Sequence, residues 1–144
     1  LNQAIDNFEF KSYETSLDIK DFDTSFAKGL SFEDGCATLT KFTAYLIADG
    51  LRKINRQNNV NPHQYIFCGG GRKNKSLMQS IENYLVNKNI IIKDIDDYNF
   101  DGNFIESQAF AYLAIRSYLK LPISFPSTTR CKKAISGGNI FQNF

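Results

Sequence analysis

Three consecutive glycines, Gly69, Gly70 and Gly71, stand in the stretch YIFCGGGRKNKSLM, with Asn74 closing the polar run behind them. Glycine costs backbone entropy and contributes no packing, so a triplet raises the question of what a side chain would obstruct there. QYIFC, Gln64–Cys68, is too short for a helix and reads as a buried strand, and Asn74 can cap a helix that begins beside it. A strand that ends in glycines and feeds a helix lets main chain approach a ligand closely. The helix then turns free N–H groups and the positive end of its dipole toward an anion. The chemistry on offer is phosphate or nucleoside binding; the alternative is a tight turn that needs only positive φ. Spacing excludes two familiar loops. No second glycine precedes a lysine and a hydroxyl residue, as a Walker loop requires, and the sixth position of a dinucleotide fingerprint is Asn74.

Other candidates are weaker. Glu106 sits in the first turn of a strongly apolar segment, where the helix dipole alone favours a carboxylate. Arg72 and Lys73 read as solvated loop cations. Asp94, Asp96 and Asp97 read as a solvated acidic turn. Arg116 reads as an amphipathic side chain lying over apolar surface. The single histidine, His63, follows a proline in a turn-rich connector, outside any cluster that catalysis or metal binding requires. Cys36, Cys68 and Cys131 are widely spaced and odd in number, which argues against a disulfide framework or zinc site and fits a reducing cytoplasm.

The elements that must hold these residues follow from pattern. Residues 1–30 are polar and irregular, read as an extended lead-in with a short helix at best. SFEDGCATLTKFTAYLIADGLRKIN carries the longest helical signal, with Ser31 and Asp34 spaced as a capping box and Phe32, Leu39, Phe42, Leu46, Ile47, Leu51 and Ile54 at helical steps. RQNNVNPH is a connector. The helix capped by Asn74 should run to about Val86, with Leu77, Met78, Ile81 and Leu85 on one face. NIIIKDI is a second strand and FIESQAFAYLAIRSYLKL a second strong helix ended by Pro122, with AFAYLA packed on the sheet. The tail is loop-like.

This alternation predicts an α/β layered domain. Two strands make a thin sheet with open edges, which points to a partner lobe elsewhere. The chain has 144 residues, 42% hydrophobic and 22% charged, a composition able to bury one core. A net charge of +2 with scattered lysines excludes a nucleic-acid partner, and no apolar run reaches the ~18 residues of a membrane helix. The first residue is Leu1, which suits a fragment or processed piece.

Five segments together resemble the C-terminal part of the anhydro-N-acetylmuramic acid kinase family, within the sugar kinase and actin superfamily. They are SLDIKDFD, GLSFEDGCATLTKFTAYLIA, YIFCGGGRKNKSLM, DGNFIESQAFAYLAIRSYLKLPISFPSTT and ISGGNI, spanning about residues 13–140. The joint occurrence of GGGxxN and IExQAFAxLAxR is the specific part. The resemblance implies the C-terminal lobe of an actin-like (ribonuclease H-like) ATPase fold, incomplete without its N-terminal lobe. Residues 1–30 would lead in from that lobe, and residues 31–144 would form the nucleotide-binding lobe.

The resemblance further implies ATP-dependent phosphorylation of the 6-oxygen of 1,6-anhydro-N-acetylmuramic acid as water opens the anhydro bridge, in cytoplasmic cell-wall recycling. Gly69, Gly70 and Gly71 would line the phosphate-ribose side of ATP, Asn74 would sit beside the adenosine, and Glu106 would face the sugar. Magnesium and the phosphate loop would be held mainly by the first lobe, as would the aspartate base, so no catalytic residue is assigned to this chain. Homodimerisation is left open. Two departures from the family pattern stand out: Arg130 where a glycine is common, and Asn103 where an acid is usual. With the missing lobe, Arg130 keeps a second reading in play, a split or truncated remnant that binds nucleotide or a partner without catalysis.

Overall fold

The computed structural model describes residues 1–8, 17, 19–58, 63–86 and 90–141. Connector residues 59–62 and Asn89, both named in the pattern analysis, lie outside the described residues. The elements are α1 (Asn2–Phe8), α2 (Phe32–Asn58), β1 (His63–Phe67), α3 (Lys75–Leu85), β2 (Ile90–Asp94), α4 (Ile105–Tyr118) and a four-residue α5 (Pro126–Thr129). Short 3-10 turns fall at Ile19–Asp21, Ser25–Ala27, Gly70–Lys73 and Ile95–Tyr98.

α2 is the spine. Ser31 Oγ accepts the Asp34 backbone N–H at 3.1 Å and donates to Asp34 Oδ2 at 2.9 Å, so the expected capping pair forms, though through the hydroxyl in both directions. Two faces of the helix are packed. Phe42 and Leu46 meet Ala4 and Phe8 of α1, with Phe26 edge-on to Phe42 at 5.0 Å between ring centroids. Ala44 and Ala48 meet Ile81 and Leu85 of α3. Small residues four apart let α3 approach closely, which pattern reading by large apolar residues overlooked. Phe32, counted in the apolar periodicity, is in fact exposed at the helix start.

β1 and β2 pair in parallel, from His63 opposite Ile90 to Phe67 opposite Asp94. A parallel pair requires a crossover, and α3 provides it. Side chains alternate across the sheet. Phe67, Ile90 and Ile92 face the α2–α3 core, whereas Ile66 and Ile91 point to the opposite, exposed face.

The loop-like tail carries ties of its own: Ile123 and Ser124 donate to the Ile135 carbonyl, Ile135 donates back to Ser124, and Ser117 Oγ donates to the Gly137 carbonyl. Two expectations are corrected. The start of the chain is helical at Asn2–Phe8, where Ala4 and Phe8 supply an apolar i, i+4 pair to α2. AFAYLA does not pack on the sheet. α4 has no buried residue among those described, and Phe110 is 64% exposed. A two-stranded sheet with one face already used by α2 and α3 offers α4 little area to cover.

Candidate functional site

β1 ends at Phe67, and the main chain then turns through Gly69 at φ +80° into the 3-10 turn Gly70–Lys73. Gly69 is where glycine is conformationally required. Gly70 and Gly71 are different. Neither has positive φ; a Cβ at Gly70 meets nothing within 4 Å, and one at Gly71 meets only Leu77 at 3.8 Å. Both are exposed. Nothing in the packing of the described residues accounts for their bareness.

Asn74 closes the turn by donating its N–H to the Gly71 carbonyl at 3.0 Å, and its Oδ1 accepts the Leu77 N–H at 3.1 Å. The expected cap is therefore present. Asn74 also lines a hollow of about 730 Å³ between the N-terminal halves of α2 and α3, with Cys36, Thr40, Lys41 and Ser76 on its walls. That volume is within the range of small-molecule sites. The three glycines are not among its lining residues; they lie immediately before Asn74.

Arg72 is not a solvated cation. Its side chain is 3% exposed, with Nη1 donating to the Gly69 carbonyl at 2.9 Å, Nε to Asp94 Oδ1 at 3.1 Å and Nη2 to Asp96 Oδ2 at 2.7 Å. Asp94 and Asp96 are therefore paired rather than a merely solvated turn. The Gly102 N–H, donating to Asp96 Oδ1 at 2.7 Å, and then Arg72 hold the Asp96 carboxyl below the usual range. Asp96 in turn raises Arg72 further above its already high value. Gly102 is buried against the guanidinium: a Cβ there would lie 2.6 Å from Arg72 Cζ and from Ile95 Cγ2. Its carbonyl accepts the Gly69 N–H at 3.2 Å. The residues that sequence reading missed, Arg72 as a clamp and Gly102 as its seat, carried only faint signals: an arginine behind glycines and an Asp-Gly pair in a loop.

Glu106 lies exposed in the first turn of α4, whose N-cap Phe104 offers no side-chain bond, so the dipole reading fits its position. The Gly69–Gly102 hydrogen bond brings the segment before α4 against the glycine loop; Glu106 itself follows four residues later. Asn103 bonds back to Asp101 Oδ1 through its backbone and its amide. Arg116 covers Tyr112, with Cζ 5.7 Å from the ring centroid, and donates to the Pro122 carbonyl at 2.8 Å. His63 opens β1. Cys36 and Cys68 are exposed free thiols, and Cys131 is half-buried. Among the described residues no three His, Cys, Asp or Glu side chains are grouped to hold a metal ion, and none of their helices is long and apolar enough to cross a membrane. Asp94 and Asp96, spent on Arg72, do not fit a magnesium site.

A parallel strand pair with a bare glycine turn feeding a capped crossover helix defines a mixed α/β unit. The family model described as anhydro-N-acetylmuramic acid kinase matches residues 7–143, and the chain belongs to that family. It is 58% identical over 147 residues to the anhydro-N-acetylmuramic acid kinase of Pelagibacter ubique (strain HTCC1062), covering 100% of this chain and 39% of that protein. The enzyme of the same name from Zymomonas mobilis is 38% identical over 87% of this chain and 32% of its own length. That from Brucella canis is 37% identical over 88% of this chain and 33% of its own. The chain thus spans 32–39% of the length of these curated relatives.

Proposed function

We propose that the chain is the nucleotide-binding C-terminal lobe of an ATP-dependent kinase acting on 1,6-anhydro-N-acetylmuramic acid. A second, actin-like lobe, for which the greater length of the relatives leaves room, completes the enzyme. The observation that carries this reading is the bareness of Gly70 and Gly71, which neither backbone conformation nor neighbouring atoms demand. Exposed main chain followed by the N-terminus of α3 is suited to the phosphate-ribose side of a nucleotide. The hollow beside Asn74 has room for the adenosine.

In this reading ATP supplies the phosphoryl group, and its magnesium and the aspartate that activates water come from the other lobe. Phosphoryl transfer depends on positioning and charge neutralisation. This chain's share is to hold the nucleotide and, through the start of α4, to form one wall of the cleft facing the sugar. Glu106 is the candidate for that wall. The exposed apolar residues of α4 and of the sheet, Phe110, Ile115 and Ile66 among them, support completion by further polypeptide.

Calorimetry with a non-hydrolysable ATP analogue, together with a coupled kinase assay on the anhydro-sugar, tests the reading. Weak analogue binding and no turnover by this chain alone are expected, with turnover restored when the remainder of the enzyme is supplied. Absence of binding, or turnover by this chain alone, would contradict it.

A further inference from the structure

We propose that Arg72 is a positioning residue that locks the glycine loop and the start of α4 into one unit; its bearing on ligand binding rests on the nucleotide reading above. The geometry is a closed circuit. The Gly69 carbonyl accepts from Arg72 Nη1, Arg72 Nη2 donates to Asp96 Oδ2, Asp96 Oδ1 accepts from the Gly102 N–H, and the Gly102 carbonyl accepts from the Gly69 N–H. Asp94, the last residue of β2, takes a third side of the guanidinium through Nε.

Both main-chain polar groups of Gly69 are thereby committed, one to Arg72 and one to Gly102. The residue whose positive φ sets the direction of the loop is fixed at both ends. Gly70 and Gly71, the two positions that are bare without internal reason, are carried between that anchor and Arg72 itself. A planar guanidinium presents its donors in a fixed fork that spans a carbonyl and two carboxylates, whereas an ammonium gathers its three donors on one atom. The absence of a side chain at Gly102 is what lets the fork reach them, since a Cβ would overlap Cζ. Movement at the nucleotide loop is accordingly transmitted to the segment that leads into α4 and Glu106.

The test is amide hydrogen exchange on the wild-type chain, Arg72→Met, Arg72→Lys and Asp96→Asn without nucleotide, with calorimetry of a non-hydrolysable ATP analogue on each. Arg72→Met is expected to speed exchange at Gly69 and Gly102 by about tenfold or more, while Ile81 and Leu85 keep wild-type protection. Analogue binding should weaken about tenfold in the same variant, and Arg72→Lys should recover only a minor part of either effect. Asp96→Asn cuts one side of the circuit and should show a smaller change of the same pattern, a second route should Arg72→Met not fold. Unaltered exchange at Gly69 and Gly102 in both variants would overturn the proposal. So would an equal acceleration throughout α3, which marks Arg72 as a general stabiliser, or faster loop exchange with unchanged analogue affinity. Should the wild-type chain bind no analogue while Gly69 and Gly102 respond as expected, the lock stands and the nucleotide reading falls.

Discussion

The unit formed by α2, β1, α3 and β2 and the segment from α4 onward are both rich in large apolar residues, yet they meet opposite fates. In the first, Ile81 is fully buried and Leu85 nearly so, against Ala44, Ala48 and the inner face of the sheet. In the second, Phe110, Tyr112, Ile115 and Tyr118 remain mostly exposed, and the helix is held chiefly by polar ties to Pro122 and Gly137. Apolar composition alone therefore does not place a residue in a core; a complementary surface does. α2 offers small residues for α3 to settle on, whereas the sheet has no strand left for α4. The glycine loop lies at the boundary, with Gly69 bonded directly to Gly102 and Arg72 linked to it through Asp96.

Paired truncations give the largest contrast. Ile81→Ala should cost ~2–5 kcal/mol in denaturant unfolding, the usual range for a fully buried aliphatic side chain. Ile115→Ala, at a position 59% exposed, should stay within ~0.5 kcal/mol for this chain. A large loss at Ile115 would erase the distinction between the two regions. At their boundary, Gly102→Ala places a methyl against Arg72 and Ile95 and should cost ~1–3 kcal/mol in the same measurement, as overpacking does.

Acid titration sharpens the same boundary. Asp96 is depressed by the Gly102 N–H and then by Arg72, with Lys73 also facing it; Asp94 shares the guanidinium. A carboxyl whose folded pKa lies below its unfolded value stabilises fully above the unfolded value, about 3.9, and loses that contribution as pH falls through the folded one. Circular dichroism should show an acid limb opening below about pH 4. The Asp96 share of that limb should be missing in Asp96→Asn. Asp49, lowered by Lys53 and Arg52 against its partial burial, contributes a limb of the same sign that survives the substitution.

The smallest effect is expected in the exposed region. Arg130 caps α5 at φ +59°, the left-handed conformation that a side chain disfavours. Arg130→Gly should raise stability by up to about 1 kcal/mol in a thermal melt, less the entropy that glycine adds to the unfolded chain. Arg130 thus takes the conformation that suits glycine.

What the sequence disclosed divides along physical lines. β1, β2, α3 and its Asn74 cap, and α2 with its Ser31–Asp34 pair were readable because each depends on neighbours a few residues away. The Arg72–Asp94–Asp96–Gly102 circuit was not, since its members are up to 30 residues apart and nothing local distinguishes a clamped arginine from a solvated one. The burial of Ala44 and Ala48 escaped because small residues mark close approach only once the partner helix is known. The exposure of α4 escaped for the complementary reason: its sequence has the apolar content of a buried helix, yet the described residues bury none of it.

The central claim, that bare main chain at Gly70 abuts a bound nucleotide, is tested most directly by calorimetry of a non-hydrolysable ATP analogue on the wild-type chain and on Gly70→Val. No atom lies within 4 Å of the position a Cβ would take, so the valine should leave thermal unfolding nearly unchanged while analogue binding is lost. Equal affinity in the two proteins would mean that the ligand, if it binds, sits elsewhere.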